Sequence, residues 1–573
     1  MSLSKEQEEY VNSSGNIVLI ACPGSGKTFS VAEKVKRIMK SWNRMHSGVA
    51  VLSFTNVAID EIRRIVQKEQ IIAYPHFFGT VDSFINEIFL RYAGIFCFHK
   101  RPRIIFDCID ISHPWQRECY ANCIYNLSSI YWNMDFEVFK NNKKVSCRLD
   151  KNGLTLCNSY KRKLLKNGIV FQVDVPMLCT HIMKKHLDIA KAIVKRYPII
   201  IIDEAQDTSK EQMEFFDLLC NCGLEALDMV GDPDQAIYEW RNATPEYFVG
   251  KIGESGWRKL NLTENRRSSQ KICDATASFS DTLNGKTPNL AVGEYSSFYQ
   301  TPQLFLLSDE SKIEDASRLF LKKCDELRIM EKDIAVLTRG KVCVERDVNY
   351  VWKSREIELL AKAAYEFYYG SRKRAYVLCE QAVFVMCIGD LEKQNLTLEQ
   401  EVAEHLQYQE WRKKILTILC GLQSADVELE TWVKSLKEFL LKCDFPLPLR
   451  KGHDIQSIIK IKSRDSKYSE FKKSPLKNFF QLKIVDSYVR SSIHGVKGET
   501  FDAVLLCATK CKGNTITRSL LCSGKLDSEM MRTAYVAMTR PRKYLAIAMI
   551  MPKRQMDLKE RFPQTKWEYI YVK

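Results

Sequence analysis

Apolar residues in this chain gather in short unbroken runs, separated by stretches with helical spacing. Ile17-Val18-Leu19-Ile20 is one such run and predicts a buried strand. Val31 to Met39 follows with apolar residues at i, i+4 and i+7, one face of a helix. Ala21 to Thr28, between them, is a glycine-containing turn. Leu3 to Val11 predicts a short helix ahead of the first strand. Val49 to Asn56 predicts a second strand with a polar tip, and Ala58 to Ile65 a returning helix. A third strand is expected to end near Gly79-Thr80-Val81-Asp82-Ser83-Phe84. Four isoleucines, 199–202, then restore the sheet. Strands alternating with helices give a parallel sheet covered on both faces, an α/β fold with ligands gathered at the C-terminal strand ends. A second such sheet is expected from Gln303–Leu307, Asp333–Arg339, Ala503–Ala508 and Leu545–Ile550. The first sheet domain thus covers 1–85 and 198–281, interrupted over 86–197 by a mostly helical insertion. The second covers 282–343 and 480–573, interrupted over 344–479 by another helical insertion. Thr282 to Thr301, rich in Gly, Ser, Pro and Asn, reads as the linker.

Composition adds a partner class. The 573 residues carry 86 Lys and Arg against 70 Asp and Glu, a net charge of +16, which favours a polyanion such as nucleic acid. Nine Lys and Arg between Arg450 and Lys477 face three acids there, a pattern that suits either a solvated helical face or a duplex-backbone contact. No run of about 18 apolar residues occurs, so no membrane span or membrane partner is expected. The first ten residues are too polar for a secretory signal. The 20 cysteines have irregular spacing with no Cys-x-x-Cys, as expected of reduced thiols in a cytoplasmic protein. Cys108, Cys119, Cys123, Cys147 and Cys157 are poorly spaced for an iron–sulfur or zinc site.

The turns carry the chemistry. Strand, Ala21-Cys22-Pro23-Gly24-Ser25-Gly26-Lys27-Thr28, helix is the context of a Walker A phosphate loop. Its glycines let backbone N–H groups turn inward at a helix N-terminus. Lys27 would reach the β- and γ-phosphates and the Thr28 hydroxyl would sit on Mg²⁺. Asp203 and Glu204, at the exit of the isoleucine strand, form a Walker B pattern. In it Asp203 holds Mg²⁺ through its water shell and Glu204 orients or deprotonates the attacking water. The stretch Leu227 to Asn242 puts acids and Gln235 beside Tyr238, Trp240 and Arg241, which suits base stacking.

In this order the segments resemble the UvrD/Rep family of superfamily 1 helicases over nearly the whole chain. Gln7 resembles the glutamine that reads adenine, and Ala21–Thr28 resembles motif I, where Ala is allowed first. Phe54-Thr55-Asn56 resembles motif Ia, Gly79-Thr80 motif Ib, Asp203–Thr208 motif II and Gly231–Arg241 motif III. Asn265–Ser268 resembles motif IV, Ile493–Phe501 motif V and Tyr535–Arg540 motif VI. The resemblance implies two RecA-like P-loop lobes, each with a helical insertion, and ATP- and Mg²⁺-driven 3′→5′ translocation on single-stranded DNA and at its junctions with duplex. It implies that Lys27, Gln235, Arg267 and Arg540 surround the γ-phosphate, and that Glu499 lies by the ribose. Phe54, Asn56, Tyr238, Trp240, Arg241 and His494 would line the strand. The adenine clamp departs from the family pattern: Phe29 stands where an arginine is usual and Arg266 where a tyrosine is, so ring and cation are exchanged. Asp82 replaces a histidine near DNA, and Glu499 is shifted by the following Thr500. A compact chain of this type also resembles the helicase-like subunit of Gabija antiphage systems, which partners an OLD-family nuclease. The second reading is therefore a DNA-activated ATPase sensor with little unwinding of its own, and the third an RNA helicase. Beyond the ATP site no second metal–carboxylate constellation is apparent, so no nuclease activity is expected of the chain.

Overall fold

The computed structural model describes residues 3–96, 102–105, 127–140, 143–150, 153–238, 243–280, 288–339, 352–387, 408–450, 454–461, 473–477, 488–508, 516–552, 558 and 560–572. Ile17–Ile20 forms the middle of β1, Asn16–Ala21, whose side chains are buried on both faces. Five further parallel strands join it: β2 Val49–Ser53, β3 Phe77–Thr80, β4 Ile199–Asp203, β5 Ala226–Gly231 and β6 Trp257–Leu262, in the order β6-β1-β5-β4-β2-β3. The register sets Asp203 level with Ser53 and Val230, and Ile20 level with Gly231. The turns after these strands therefore leave from one edge, which is where the sequence reading puts the chemistry.

The second sheet is also parallel and six-stranded: β7 Gln303–Leu307, β8 Ile334–Thr338, β9 Val489–Ser492, β10 Phe501–Ala508, β11 Pro541–Ile550 and β12 Glu568–Val572, in the order β9-β8-β10-β11-β7-β12. Both edge strands, β9 and β12, escaped the sequence reading. Arg-Ser-Ser and Glu-Tyr-Ile-Tyr lack a continuous apolar run, because an edge strand is covered on one side only.

β3 ends at Thr80, within the stretch where its end is expected, and Val81–Phe84 opens the helix Val81–Tyr92, because the Thr80 hydroxyl caps it by accepting from Ser83 N. Two other expectations shift. Residues 270–279, expected in the first domain, bury Ile272, Ala275 and Phe279 in the core of the second sheet. The linker is tied down: Leu290–Ala291 pairs in parallel with Glu264–Asn265.

The insertion after the first three strands mixes helices with small sheets where a mostly helical segment was expected. Helices Leu156–Lys166, Val175–Lys185 and Leu187–Arg196 lie beside a three-stranded antiparallel sheet over 131–144. Its centre is polar. Lys161 Nζ pairs with Asp174 Oδ2 at 2.7 Å, both fully buried, and Asp174 Oδ1 accepts from Trp132 N at 2.9 Å. Removing either partner would strand a buried charge.

The second insertion forms a compact unit with its own core. Helices Arg355–Tyr369, Arg372–Cys387, Tyr408–Gly421, Leu429–Lys442 and Ile455–Ile458 pack around Trp411, Trp432, Leu360 and Phe384. Most of the basic run from Arg450 to Lys477 lies outside the described residues, as do Cys108, Cys119 and Cys123. Among the described residues no helix is long and apolar enough to cross a membrane, and no group of three or more His, Cys, Asp or Glu is placed to hold a metal.

Candidate active site

The phosphate loop leaves β1 and turns through Gly24 and Gly26 at φ +74° and +80°. A side chain at Gly24 would stand 2.7 Å from both Arg267 Cβ and Asn265 Oδ1, so glycine is required twice over. Gly26 caps the helix Lys27–Lys40, whose N-terminus faces the loop. Thr28 Oγ1 donates to Asp203 Oδ2 at 3.0 Å. Lys27 Nζ lies 3.4 Å from Glu204 Oε1. Burial opposes the Lys27 charge, but Glu204, Asp232 and Asp203 outweigh it and raise its pKa. Burial beside Glu204 pushes Asp203 up. Glu204 goes down despite its own burial, because Lys27, Lys497 and Arg540 favour its charged form. Glu204 sits at φ 56°, a left-handed conformation uncommon for a residue with a side chain. Gln206 braces it: its Nε2 donates to Glu204 Oε2 at 2.6 Å while its Oε1 accepts from Asp232 N at 3.0 Å. These strict contacts hold an ionised carboxylate toward the cavity.

Residues beyond the first sheet complete the site. Arg540 Nη2 donates to Gln235 Oε1 at 2.6 Å, and Gln235 Nε2 donates to Asp232 Oδ2 at 2.5 Å. Arg267 Nη1 donates to the Thr539 carbonyl at 3.0 Å. Burial and the nearby Arg540 and Arg542 push Arg267 down to about 9. A buried cation crowded by cations is stabilised by an incoming anion. Asn265 fixes the turn that delivers it, its Oδ1 accepting from Arg267 N at 2.8 Å and Ser268 N at 2.9 Å. One cavity of about 260 Å³ is lined by Lys27, Thr28, Glu204, Gln235, Arg267 and Arg540, together with Phe29 and Phe54.

Motif III continues from this cavity as a short run held by the second sheet. Lys497 Nζ ion-pairs with Asp207 and donates to the Gln235 carbonyl at 3.2 Å. Arg532 Nε donates to the Ala236 carbonyl at 2.7 Å. His494 Nε2 meets the Ile237 carbonyl at 3.1 Å, and His494 Nδ1 lies 3.3 Å from Arg339 Nη1. With burial and Arg339 lowering its pKa, a neutral His494 donates from Nε2 and accepts at Nδ1. Tyr238 stacks on Phe54 with centroids 4.8 Å apart and meets His494 edge-on at 5.9 Å. Residues 235–238 thus run from the phosphate-loop cavity to the aromatic cluster of Phe54, Tyr238 and His494.

The remaining site expectations are placed as follows. Gln7 is 2% exposed; its Oε1 accepts from Ser4 N at 3.0 Å and its Nε2 donates to the Ser25 carbonyl at 3.0 Å. Ala21, Cys22, Pro23 and Ser25 are buried in the loop. Arg266 N donates to the Gly24 carbonyl at 2.9 Å, and the Arg266 side chain pairs with Glu264 at 3.2 Å. Glu499 is exposed, and the cavity is lined instead by its neighbours Gly498 and Thr500. Asn56 is exposed at the start of the helix Asn56–Val66. Trp240 and Arg241 lie outside the described residues. Sequence reasoning passed over Gln206, Asp207, Asp232, Asn265, Lys497 and Arg532. Each lies within or a few residues from a recognised string, but a side chain that braces another carries no signature of its own.

Two parallel sheets share one phosphate-loop cavity, which Arg540 reaches from just before β11 and Arg267 from the turn after Asn265, and this arrangement defines a P-loop core. More narrowly, residues 3–253 match the family described as UvrD/REP helicase N-terminal domain. The chain is 28% identical to Gabija protein GajB of Bacillus cereus (strain VD045), over 58% of this chain and 59% of the relative. It is 24% identical to ATP-dependent DNA helicase Rep of Buchnera aphidicola subsp. Schizaphis graminum (strain Sg), over 59% of this chain and 53% of the relative. ATP-dependent DNA helicase PcrA of Staphylococcus aureus (strain Mu50 / ATCC 700699) matches at 26% over 48% of this chain and 39% of the relative. The chain therefore spans less than two thirds of the length of each of these relatives.

Proposed function

We propose that the chain is an ATP-dependent DNA helicase or translocase that moves 3′→5′ on single-stranded DNA. The observation that carries this reading is the run 235–238. It presents Gln235 to Arg540 in the nucleotide cavity and, three residues on, stacks Tyr238 on Phe54 beside His494. The two contacts lie three residues apart, so this run is the coupling element of the reading.

The donor set fits Mg-ATP. A hydroxyl and a carboxylate oxygen, Thr28 Oγ1 and Asp203 Oδ2, already converge, as a hard divalent cation requires. Bound there, the cation would neutralise phosphate charge. The chain's own residues do the rest. Lys27, which rests on Glu204 in this structure, moves its charge to the phosphates and releases Glu204. Glu204 then accepts the proton of the attacking water while Gln206 holds its other oxygen. Arg267 and Arg540 supply charge from across the cavity, so hydrolysis depends on the two sheets staying engaged. Phe29 and Arg266 would clamp the adenine with exchanged faces. Phe54, Asn56, Tyr238, Trp240, Arg241 and His494 would contact the strand. Duplex junctions are the substrates and the cytoplasm is the compartment in this reading.

The similarity to GajB favours a second reading: a DNA-activated ATPase that senses DNA for a nuclease partner of the OLD type and unwinds little. One experiment separates them. Strand displacement is measured on duplexes with 3′ or 5′ single-stranded tails, in DNA and RNA, beside ATP turnover. Helicase function requires unwinding of the 3′-tailed DNA duplex, abolished in Glu204→Gln with ATP binding retained and turnover down by about 10²–10⁴. DNA-stimulated turnover without unwinding selects the sensor reading, and wild-type turnover in Glu204→Gln removes the site assignment.

A further inference from the structure

A second cavity lies at the opposite edge of the first sheet. Its wall includes His46, Tyr74 and the pair Arg196-Tyr197, which come just before β2, β3 and β4. These are the N-terminal strand ends, roughly 15 Å along the strands from the phosphate loop. The helices Val81–Tyr92 and Leu187–Arg196 supply the other walls, with Phe84, Arg91 and Tyr92 among them. Its volume is about 340 Å³.

Its chemistry is specific. The Arg196 guanidinium stacks 4.1 Å over the Tyr74 ring and 5.5 Å from that of Tyr197, and donates to the His46 carbonyl at 2.9 Å. Among the described residues no carboxylate pairs with it. Arg91, in contrast, is already paired with Glu87 at 2.9 Å. The cavity thus offers one unneutralised cation between aromatic rings. At the cavity wall Tyr74 stands 85% exposed, a large ring left in solvent.

We propose that this cavity docks an acidic segment of a protein partner, a carboxylate meeting Arg196 and an adjacent aromatic or aliphatic side chain packing against the ring of Phe84 or Tyr92 in the wall. Nucleic acid fits poorly, because a phosphate backbone needs a row of cations, and among the described residues that line the cavity a single one without a carboxylate partner stands beside Glu87. The net charge of +16 would steer an acidic partner toward the chain. The site is remote from the nucleotide cavity, so docking leaves the NTPase machinery accessible.

The test uses the full chain and fluorescein-labelled pentapeptides, Gly-Asp-Phe-Asp-Gly and Gly-Lys-Phe-Lys-Gly, followed by anisotropy. The acidic peptide is expected to bind saturably and the basic one not. Tyr74→Ser, at a position too exposed to disturb folding, and Arg196→Glu should each weaken it about tenfold or more. Arg196→Glu should instead gain the basic peptide. DNA-stimulated ATP turnover within about twofold of wild type in both variants reports an intact fold. Equal binding of the two peptides, no binding of either, indifference to both variants, or displacement by an oligonucleotide would each overturn the proposal.

Discussion

Phe29 and Arg266 pose the sharpest question at the scale of single residues. Phe29 lines the nucleotide cavity, half-buried on the first turn of the helix Lys27–Lys40. The Arg266 backbone is fastened to the phosphate loop through Gly24, and a side chain at Gly293 would run into the Arg266 carbonyl, so the linker paired at Leu290–Ala291 holds Arg266 close. Its Nε is buried without a hydrogen-bond partner. Both groups can present a flat face to a purine, one by ring stacking and one by its planar guanidinium. Phe29→Ala and Arg266→Ala are each expected to weaken ATP binding by about 1 kcal/mol, roughly fivefold. The exchange Phe29→Arg with Arg266→Tyr should recover much of the loss. Fluorescent-nucleotide titration decides it, and unchanged affinity in both alanine variants would leave the base to other groups. Gln7 shows why residue types alone stop short here. The resemblance places it by the base, and the structure adds contacts no string encodes, its amide bracing Ser4 and the phosphate loop through a capping box and a distant turn.

At the scale of elements, the motif III run is the feature with the most consequence. Arg532 reaches it from the helix Glu529–Met538, buried, donating to the carbonyls of Ala236 and Asp527. Arg532→Met keeps the length of the stem and loses both bonds, leaving the buried Ala236 carbonyl unpaired at about 1–3 kcal/mol, while the exposed Asp527 carbonyl turns to water. The loosened run should transmit less. The expected outcome is a fall in the ratio of DNA-stimulated to basal ATP turnover, with thermal stability lowered as well. A preserved ratio at lowered stability would make Arg532 merely structural. Elements were legible in the sequence where burial on both faces forces an apolar run, as in β1 and β4. They were not where an edge strand is half polar, as β9 and β12 are. The helix Gln270–Thr276 has the apolar face expected of it, but periodicity cannot say which of two sheets that face covers.

Across the whole molecule, the two sheets and the first insertion form one compact unit, and the helical segment 345–487, with its separate core, falls in another. The nucleotide cavity belongs wholly to the first unit, and its walls come from both sheets. Ligand binding at such a site stabilises whatever must stay folded for the site to exist. Glu204→Gln, which should bind Mg-ATP without consuming it, makes the test clean. At about a hundredfold excess over Kd, the bound unit gains about 2.7 kcal/mol, close to a hundredfold in exchange protection where opening is global. Hydrogen exchange should therefore slow together in β1, β4 and β5 of the first sheet and in β10, β11 and the helix Glu529–Met538 of the second. The helices Arg355–Tyr369 and Arg372–Cys387 should exchange as before, because their core contributes nothing to the cavity. Protection confined to the first sheet would mean that Arg540 and Lys497 do not hold the second to the nucleotide, and the coupling through residues 235–238 would fall with it.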